Sequence, residues 1–125
     1  RAVSLMKPTA ADIKARARID VDVTTIDHYM DAHDLQGFDL IKLDLQGNEL
    51  RAIKGATRAL ESCKAVLTEV NFRERYEGCT LFNQLYDALA GAGFYLYKVY
   101  EIHGYPDGSW KLGDALFLKG ELLRE

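Results

Sequence analysis

Two carboxylates, Asp44 and Glu69, each fall near the end of a short apolar run. A carboxylate in such a place can orient a bound molecule, accept a proton from it or ligate a divalent cation. Two carboxylates alone are too few to define a metal site, so we predict no metal ion. The pair marks a candidate centre for orienting or deprotonating a polar group.

Both carboxylates also have a plain structural interpretation, which the sequence leaves open. Asp44 could accept hydrogen bonds from the backbone amides of Gly47 and Asn48 in the turn that follows it. Glu69 could form a salt bridge with Lys42. In either case the carboxylate would stabilise the fold without touching a ligand.

The elements that must position these carboxylates occupy residues 39–71. The apolar run at 40–45 predicts a strand that is buried on both faces, and the run that begins at Ala65 predicts a second strand. Between the two runs, apolar residues recur at helical spacing: Leu50, Ile53, Ala56 and Leu60. A strand, a helix and a strand of these lengths form a crossover with parallel strands.

Ligands in sheets of this kind bind beyond the carboxyl ends of the strands. Four residues fall at those ends: Asp44, Gly47, Glu69 and Asn71. Gly47 permits a tight turn or the close approach of a ligand, and Asn48 is the expected N-cap of the helix. The sequence therefore predicts a binding site at this edge of the sheet.

The chain before this unit carries weaker signals. Residues 1–18 show little periodicity and predict a loop or frayed lead-in. Residues 19–23 alternate Ile or Val with Asp, which predicts a half-buried strand near a sheet edge. A capping box at 24–27 opens the next helix, and Gly37 is its expected C-cap.

The chain after this unit predicts one helix and two strands. The helix begins after Thr80, a capping residue, and aromatic residues dominate a strand at 94–100. A last strand at 114–118 follows turn residues without an intervening helix, so these two strands form an antiparallel pair. The expected architecture is an α/β domain with a mostly parallel sheet and an antiparallel pair at its end.

At the turn between strand and helix, the chain resembles a known family. The segment IKLDLQGNELRAIKGA, residues 41–56, resembles the lysine-aliphatic-aspartate-aliphatic-glutamate-glycine segment of FkbM-type methyltransferases. Shorter segments at 23–27, 67–70 and 113–117 resemble further parts of that family in the same order. One residue departs from the pattern, because Gln46 stands where the family has glutamate.

The resemblance implies a Rossmann-like class I methyltransferase fold, with S-adenosylmethionine (SAM) as cofactor and a small-molecule or sugar hydroxyl as acceptor. Asp44 would position or deprotonate the acceptor, with Glu69 beside it. Asp44, Gln46 and Gly47 would contact the cofactor. Gln46 can hydrogen-bond to a ligand but cannot serve as a base.

The loop at 72–79 follows the second strand and would border the site. Arg73, Arg75 and Tyr76 in this loop are candidate contacts for an anionic or aromatic substrate, and Asn71 at the end of the strand is a further candidate substrate contact. Ordinary loop polarity is the simpler explanation of each of the three loop residues taken singly. Their assignment rests on position beside the expected site.

One part of a complete methyltransferase has no counterpart in the sequence. No glycine-rich turn follows an early apolar strand, although such a turn brings backbone close to the cofactor in this fold. We therefore expect residues 1–125 to form a single α/β domain that corresponds to the C-terminal portion of a methyltransferase domain. The edge beside its central strand would be unpaired, which favours a homodimer.

Composition and charge exclude several partners. The net charge is −3 and the basic residues are scattered, so we expect no binding to nucleic acid or to an anionic membrane. No apolar run reaches membrane-spanning length, and no signal peptide is visible. Cys63 and Cys79 lack metal-binding spacing and are expected to be free thiols, which places the protein in the cytoplasm.

Two alternative functions stay open. A non-catalytic α/β binding or assembly module derived from a methyltransferase would account for the missing glycine-rich turn and for Gln46. A receiver-like domain would use Asp44 as a phosphoacceptor, with Asp20 and Asp22 as the acidic pair. The receiver needs a lysine near the end of a later strand, where this chain has Glu69.

Overall fold

The computed structural model describes residues 17–123, so most of the lead-in predicted at 1–18 lies outside the described residues. The helices and strands follow in the order α1 (Ile26–Ala32), β1 (Leu40–Leu43), α2 (Glu49–Lys54), α3 (Thr57–Ser62), β2 (Ala65–Asn71), α4 (Phe82–Gly91), β3 (Phe94–Gly104), β4 (Trp110–Lys119) and a 3-10 helix, Gly120–Leu122. The predicted α/β class is confirmed.

The strands form one sheet in the order β1-β2-β4-β3. β1 and β2 are parallel, with Leu40 opposite Ala65, whereas β4 runs antiparallel to both of its neighbours. The prediction of a mostly parallel sheet is therefore wrong. A tight turn joins β3 to β4, so β4 must reverse direction, and its place between β2 and β3 makes both of its pairings antiparallel.

The hydrophobic core lies on one face of the sheet. Alternate strand residues point into it, including Ile41, Val66 and Phe117, and each of the helices α1–α4 adds at least one buried side chain. The strand predicted to be buried on both faces, β1, alternates instead between exposed and buried positions. Leu40 is 55% exposed because no described element covers the second face of the sheet there.

The single helix predicted between β1 and β2 is two short helices. The break falls at Gly55, where an added Cβ would lie 2.9 Å from the Cβ of Thr25. The Asp27 amide donates to the Gly55 carbonyl at 3.0 Å, and the Asp27 carboxylate accepts from the amides of Arg58 and Ala59. The start of α1 therefore occupies the break and caps α3.

Two predictions concern the ends of α1. Thr25 is its N-cap, as the capping box indicated, and accepts a hydrogen bond from the His28 amide at 3.0 Å. The predicted C-cap at Gly37 is wrong, because the helix ends at Ala32. Asp34, with a φ of 54°, takes the left-handed conformation that turns the chain away.

The strand predicted at residues 19–23 does not form. Val21 makes a single bridge, and the segment is otherwise irregular. Its apolar side chains stand in solvent, with Ile19 72% and Val23 64% exposed. A half-buried strand needs a neighbour that covers its apolar face, and these apolar side chains stay exposed.

The two cysteines are free thiols, as predicted. Both are buried, and the Cys63 thiol donates to the Ala65 carbonyl at 2.9 Å. Burial raises the pKa of Cys63 above its ordinary value. Within the described part of the chain, no helix has the length and apolar character needed to cross a membrane.

The pairing of β3 with β4 predicts how two glycines respond to substitution. A Cβ on Gly113 would lie 2.8 Å from Val99 Cγ1 and 3.2 Å from the Tyr100 carbonyl oxygen, whereas a Cβ on Gly91 would meet nothing within 4 Å. We expect Gly113→Ala to lower the free energy of unfolding by about 1–3 kcal/mol. Gly91→Ala, the matched control on α4, should raise it by up to about 1 kcal/mol. Urea unfolding of both variants measures the difference, and equal stabilities would contradict the observed β3–β4 packing.

Candidate functional site

A buried carboxylate organises the turn that follows β1. Glu49, only 1% exposed, accepts hydrogen bonds at its Oε1 from the amide of Leu45 at 3.1 Å and the amide of Gly47 at 3.4 Å. Gln46 and Gly47 both have positive φ, at 54° and 104°. The carboxylate therefore holds the backbone in a conformation that a non-glycine residue such as Gln46 rarely adopts.

These bonds correct two expectations about the turn. Asp44 does not bond the amides of Gly47 and Asn48, because Glu49 accepts from Gly47 and the Leu45 carbonyl accepts from Asn48 at 3.4 Å. Asn48 precedes α2 as predicted but makes no capping bond through its side chain. The Asp44 carboxylate is exposed and stays outside the turn's own bonding.

Thr80 ties the turn to the chain before α4. Its amide and its hydroxyl both donate to the Gly47 carbonyl, at 2.8 and 2.9 Å. The same hydroxyl accepts from the Leu50 amide at 3.1 Å. Thr80 is the predicted cap of α4, but its bonds hold the turn after β1 instead. Leu81 occupies the N-cap position of α4.

A cavity of about 250 Å³ opens at the carboxyl ends of β1 and β2. Its wall brings together Asp44 and Glu69, the two carboxylates singled out from the sequence. Asp114 joins them because β4 places it directly opposite Glu69 in the antiparallel register. Lys42, Leu43 and Leu67 complete the lining. Within residues 17–123, no three His, Cys, Asp or Glu side chains are grouped so as to hold a metal ion.

Glu69 is a partly buried carboxylate of this cavity with a guanidinium partner. Its ion-pair partner is Arg75, with 3.5 Å between Nη1 and Oε1, and both side chains are less than one-fifth exposed. The predicted salt bridge to Lys42 is therefore wrong, although Lys42 lines the same cavity. Burial raises the pKa of Glu69, the charge of Asp44 raises it further, and Arg75 opposes both effects.

Gln46 links Asp44 to Tyr76 through its amide group. Its Nε2 donates to Asp44 Oδ1 at 3.3 Å, and its Oε1 accepts from the Tyr76 hydroxyl at 2.8 Å. An ionised glutamate could accept from Tyr76 but could not donate to Asp44. Glutamine at this position thus gives the chain a continuous hydrogen-bonded bridge from the Asp44 carboxylate to the Tyr76 phenol.

The remaining two candidate residues have different positions. Asn71 is 1% exposed, and its Oδ1 accepts a hydrogen bond from Arg75 Nη1 at 3.5 Å. Asn71 therefore helps to hold the guanidinium in place. Arg73 turns away toward the β3–β4 hairpin. There it donates to Ser109 Oγ at 2.6 Å, approaches Asp107 Oδ2 at 3.4 Å and lies 4.3 Å from the centre of the Tyr105 ring. The structure does not bring Arg73 to the carboxylates.

Sequence reasoning missed three contributors to this site. The sequence places Glu49 in the first turn of the predicted helix, and its burial has no signature in a single sequence. By position in the sequence, Arg75 is only a candidate substrate contact and Asp114 only the first residue of the last predicted strand. The position of Asp114 depends on the β2–β4 register, which joins residues far apart in the chain.

Comparison with known proteins gave one match. The family model of the Methyltransferase FkbM domain matches residues 4–96. A search of curated proteins and a search of solved structures each found no match. The matched range contains Asp44, Gln46 and Glu69 and ends within β3, so Asp114 on β4 lies beyond it.

The bonds to Glu49 predict a large effect of its removal. Glu49→Ala would leave the Leu45 and Gly47 amides without their acceptor, so we expect a loss of about 2–4 kcal/mol in the free energy of unfolding. Glu61→Ala, at an exposed position on α3, is the matched control and should change stability by less than about 0.5 kcal/mol. Chemical denaturation distinguishes them, and similar losses for both would show that Glu49 does not hold the turn.

The raised pKa of Glu69 predicts a pH dependence. The folded state binds the Glu69 proton more tightly than the unfolded chain does, so this contribution to stability is present below the unfolded pKa of about 4.5 and is lost as pH rises through the higher folded value. Relative to Glu69→Gln, the wild type should therefore lose stability as the pH rises above the unfolded value of about 4.5. Urea unfolding over that rise in pH tests the sign, and a wild type that gains relative stability with pH would contradict it.

Proposed function

Since the chain belongs to the FkbM methyltransferase family, we propose that its cavity forms the acceptor side of a SAM-dependent methyl-transfer site. The observation that carries the proposal is the placing of Asp44 and Glu69 in one cavity at the carboxyl ends of parallel strands. That position is where α/β sheets bind ligands. Family membership supports the reaction class, and the site geometry supports the choice of residues.

The two carboxylates differ in environment, which supports different roles. Asp44 is exposed beyond the end of β1, whereas Glu69 is partly buried with a raised pKa. We assign to Asp44 the positioning of the acceptor hydroxyl. Asp44 would also remove the hydroxyl proton as the acceptor oxygen takes the methyl group from the sulfur of SAM. Glu69, held by Arg75, orients the acceptor by a hydrogen bond.

The acceptor proposed is a neutral, hydroxyl-bearing small molecule such as a sugar. Three carboxylates line the cavity of about 250 Å³ and accept hydrogen bonds from hydroxyl groups; they outnumber Lys42 in the same lining, which disfavours phosphate or carboxylate substituents. Gln46 connects the Tyr76 hydroxyl to Asp44, and this places Tyr76 where it can contact the same acceptor molecule. Arg73 is left out of this acceptor site because the hairpin engages its guanidinium.

The residues of the turn suit one side of SAM. When bound, SAM supplies an electrophilic methyl group on a positively charged sulfur. The Asp44 carboxylate and the Gln46 amide offer acceptors and a donor for its hydroxyl and ammonium groups, and the positive φ of Gly47 keeps the turn tight. Within residues 17–123, no glycine-rich turn follows a strand, so these residues supply one wall of a cofactor site.

Methyl transfer from labelled SAM to a panel of small polyhydroxylated acceptors tests this proposal. We expect Asp44→Asn to reduce the rate by about one hundred-fold or more, because the variant keeps the shape but loses the base. Asp87→Asn, exposed on α4, is the matched control and should retain full activity. An Asp44→Asn variant as active as the wild type would overturn the assignment of Asp44.

A calorimetric titration with S-adenosylhomocysteine separates cofactor binding from chemistry. Micromolar binding, about −8 kcal/mol, supports a complete cofactor site in this chain or its oligomer. Absence of both binding and transfer would favour the second candidate, a non-catalytic module derived from a methyltransferase. The amide at Gln46 is the observation that favours this module, because it replaces an ionisable side chain beside Asp44. The receiver-like alternative gains no support, since β4 next to β2 is antiparallel.

A further inference from the structure

A second cavity lies among the helices, at the end of the sheet opposite to the acceptor cavity. Its volume is about 380 Å³, and its lining comes from α2, α3, the end of α4 and the end of β4. Lys119, which closes β4, follows the pairing of Leu118 with Ala65 at the start of β2, whereas the acceptor cavity opens near the end of β2. In the described part of the chain the two cavities share no lining residue. A molecule bound in the second cavity would therefore occupy a site separate from methyl transfer.

Much of the wall of this second cavity is apolar. Ile53 of α2 and Leu60 of α3 are 5% and 4% exposed. On the other side α4 contributes only small residues, Ala88, Gly91 and the following Ala92. A Cβ added to Gly91 would meet nothing within 4 Å, which shows that the space beside α4 is open. The volume falls within the range of small-molecule sites, about 300–1,000 Å³, and such sites are mostly apolar with a few polar groups.

The principal polar group of the wall is the ammonium of Lys119. Its Nζ donates to the Leu60 carbonyl at 2.7 Å and lies 4.6 Å from the centre of the Phe94 ring. An ammonium carries three N–H donors, so this bond leaves donors for a ligand. Among residues 17–123, no carboxylate lies within ion-pair distance of this partly buried lysine. A partly buried cation without a counter-charge favours the binding of an anion.

The other charges of the lining also favour an anion. Lys54, exposed on α2, adds a second cation, and Glu61 is the single acidic residue of the lining. The lining therefore carries a net positive charge. A fully polar anion such as phosphate would leave the apolar wall in contact with water, whereas a hydrocarbon group would cover it.

We propose that this cavity binds a small apolar carboxylate. The carboxylate accepts hydrogen bonds from the Lys119 ammonium, and such bonds between charged groups are stronger than those between neutral groups. The hydrocarbon body packs against Ile53, Leu60 and the small residues of α4. Lys54 lies at the exposed side of the cavity and adds electrostatic attraction. The site thus selects a ligand by a single negative charge at one end of an apolar body.

Calorimetric titration of octanoate into the full chain tests this site. We expect saturable binding with a dissociation constant below about 1 mM. Octan-1-ol keeps the hydrocarbon body without the charge, and acetate keeps the charge without the body. Each of these two probes should bind at least about ten-fold more weakly than octanoate. In an NMR titration, the amide shifts caused by octanoate should concentrate at residues 53–61, 88–92 and 119.

Two variants separate the apolar and charged parts of the site. Gly91→Leu places a side chain in the open space beside α4, and leucine is a better helix former than glycine, so the chain should fold and the dissociation constant should rise at least about ten-fold. Lys119→Met should weaken octanoate to a similar degree and leave octan-1-ol unchanged. Lys98→Met, exposed on β3 and outside the lining, is the matched control and should bind octanoate like the wild type. Circular dichroism checks the fold of each variant.

Three results would overturn the proposal. The first is the absence of saturable octanoate binding up to about 10 mM. The second is octan-1-ol binding as tightly as octanoate, which would remove the role of the ammonium. The third is a folded Gly91→Leu variant that binds octanoate like the wild type, which would place the ligand outside this cavity.

Discussion

The hydrogen bonds that the Glu49 carboxylate accepts from the turn after β1 are the interaction on which the candidate site depends. The turn requires positive φ at Gln46, a conformation that costs of order 1 kcal/mol or more in a residue with a Cβ. A buried, doubly bonded carboxylate offsets that cost. Because the turn is held from within, Asp44 and the Gln46 side chain can both face outward. Thr80 reinforces the arrangement from the start of α4.

The three carboxylates of the cavity are offset in part by Lys42 in its wall and by the guanidinium of Arg75 from the loop after β2. Glu69 and Asp114 face each other across the β2–β4 pairing, and Asp44 closes the third side. Arg75 reaches back to Glu69 and Asn71, so the loop is anchored at the point where it leaves the strand. The same loop carries Tyr76, whose hydroxyl bonds to Gln46. The two walls of the site are thereby coupled through side chains rather than through backbone.

The parts of the structure predictable from sequence were those set by local pattern. The strand, turn and helix around Asp44 followed from the spacing of apolar residues, and the meeting of Asp44 with Glu69 followed from the parallel pairing of β1 and β2. The break at Gly55 could not be seen, because it depends on Thr25 packing from a distant helix. The position of Asp114 likewise needed a register between strands far apart in the chain. Residues 19–23 show the converse limit, since their alternating pattern predicted a strand but forms only a single bridge at Val21.

The strand order has a consequence for how the chain folds as it is synthesised. β2 is made early, but its neighbour on one side is β4, the last strand of the sheet. Until β4 emerges from the ribosome, one edge of β2, which carries Val66 and Val70, lacks its strand partner. Among the described strands β3 pairs only with β4, so it also stays unpaired until then. Contacts of such long sequence separation form slowly, and nascent chains with open strand edges tend to associate. The nascent protein therefore passes through a period when a chaperone that shields strand edges would be of most use.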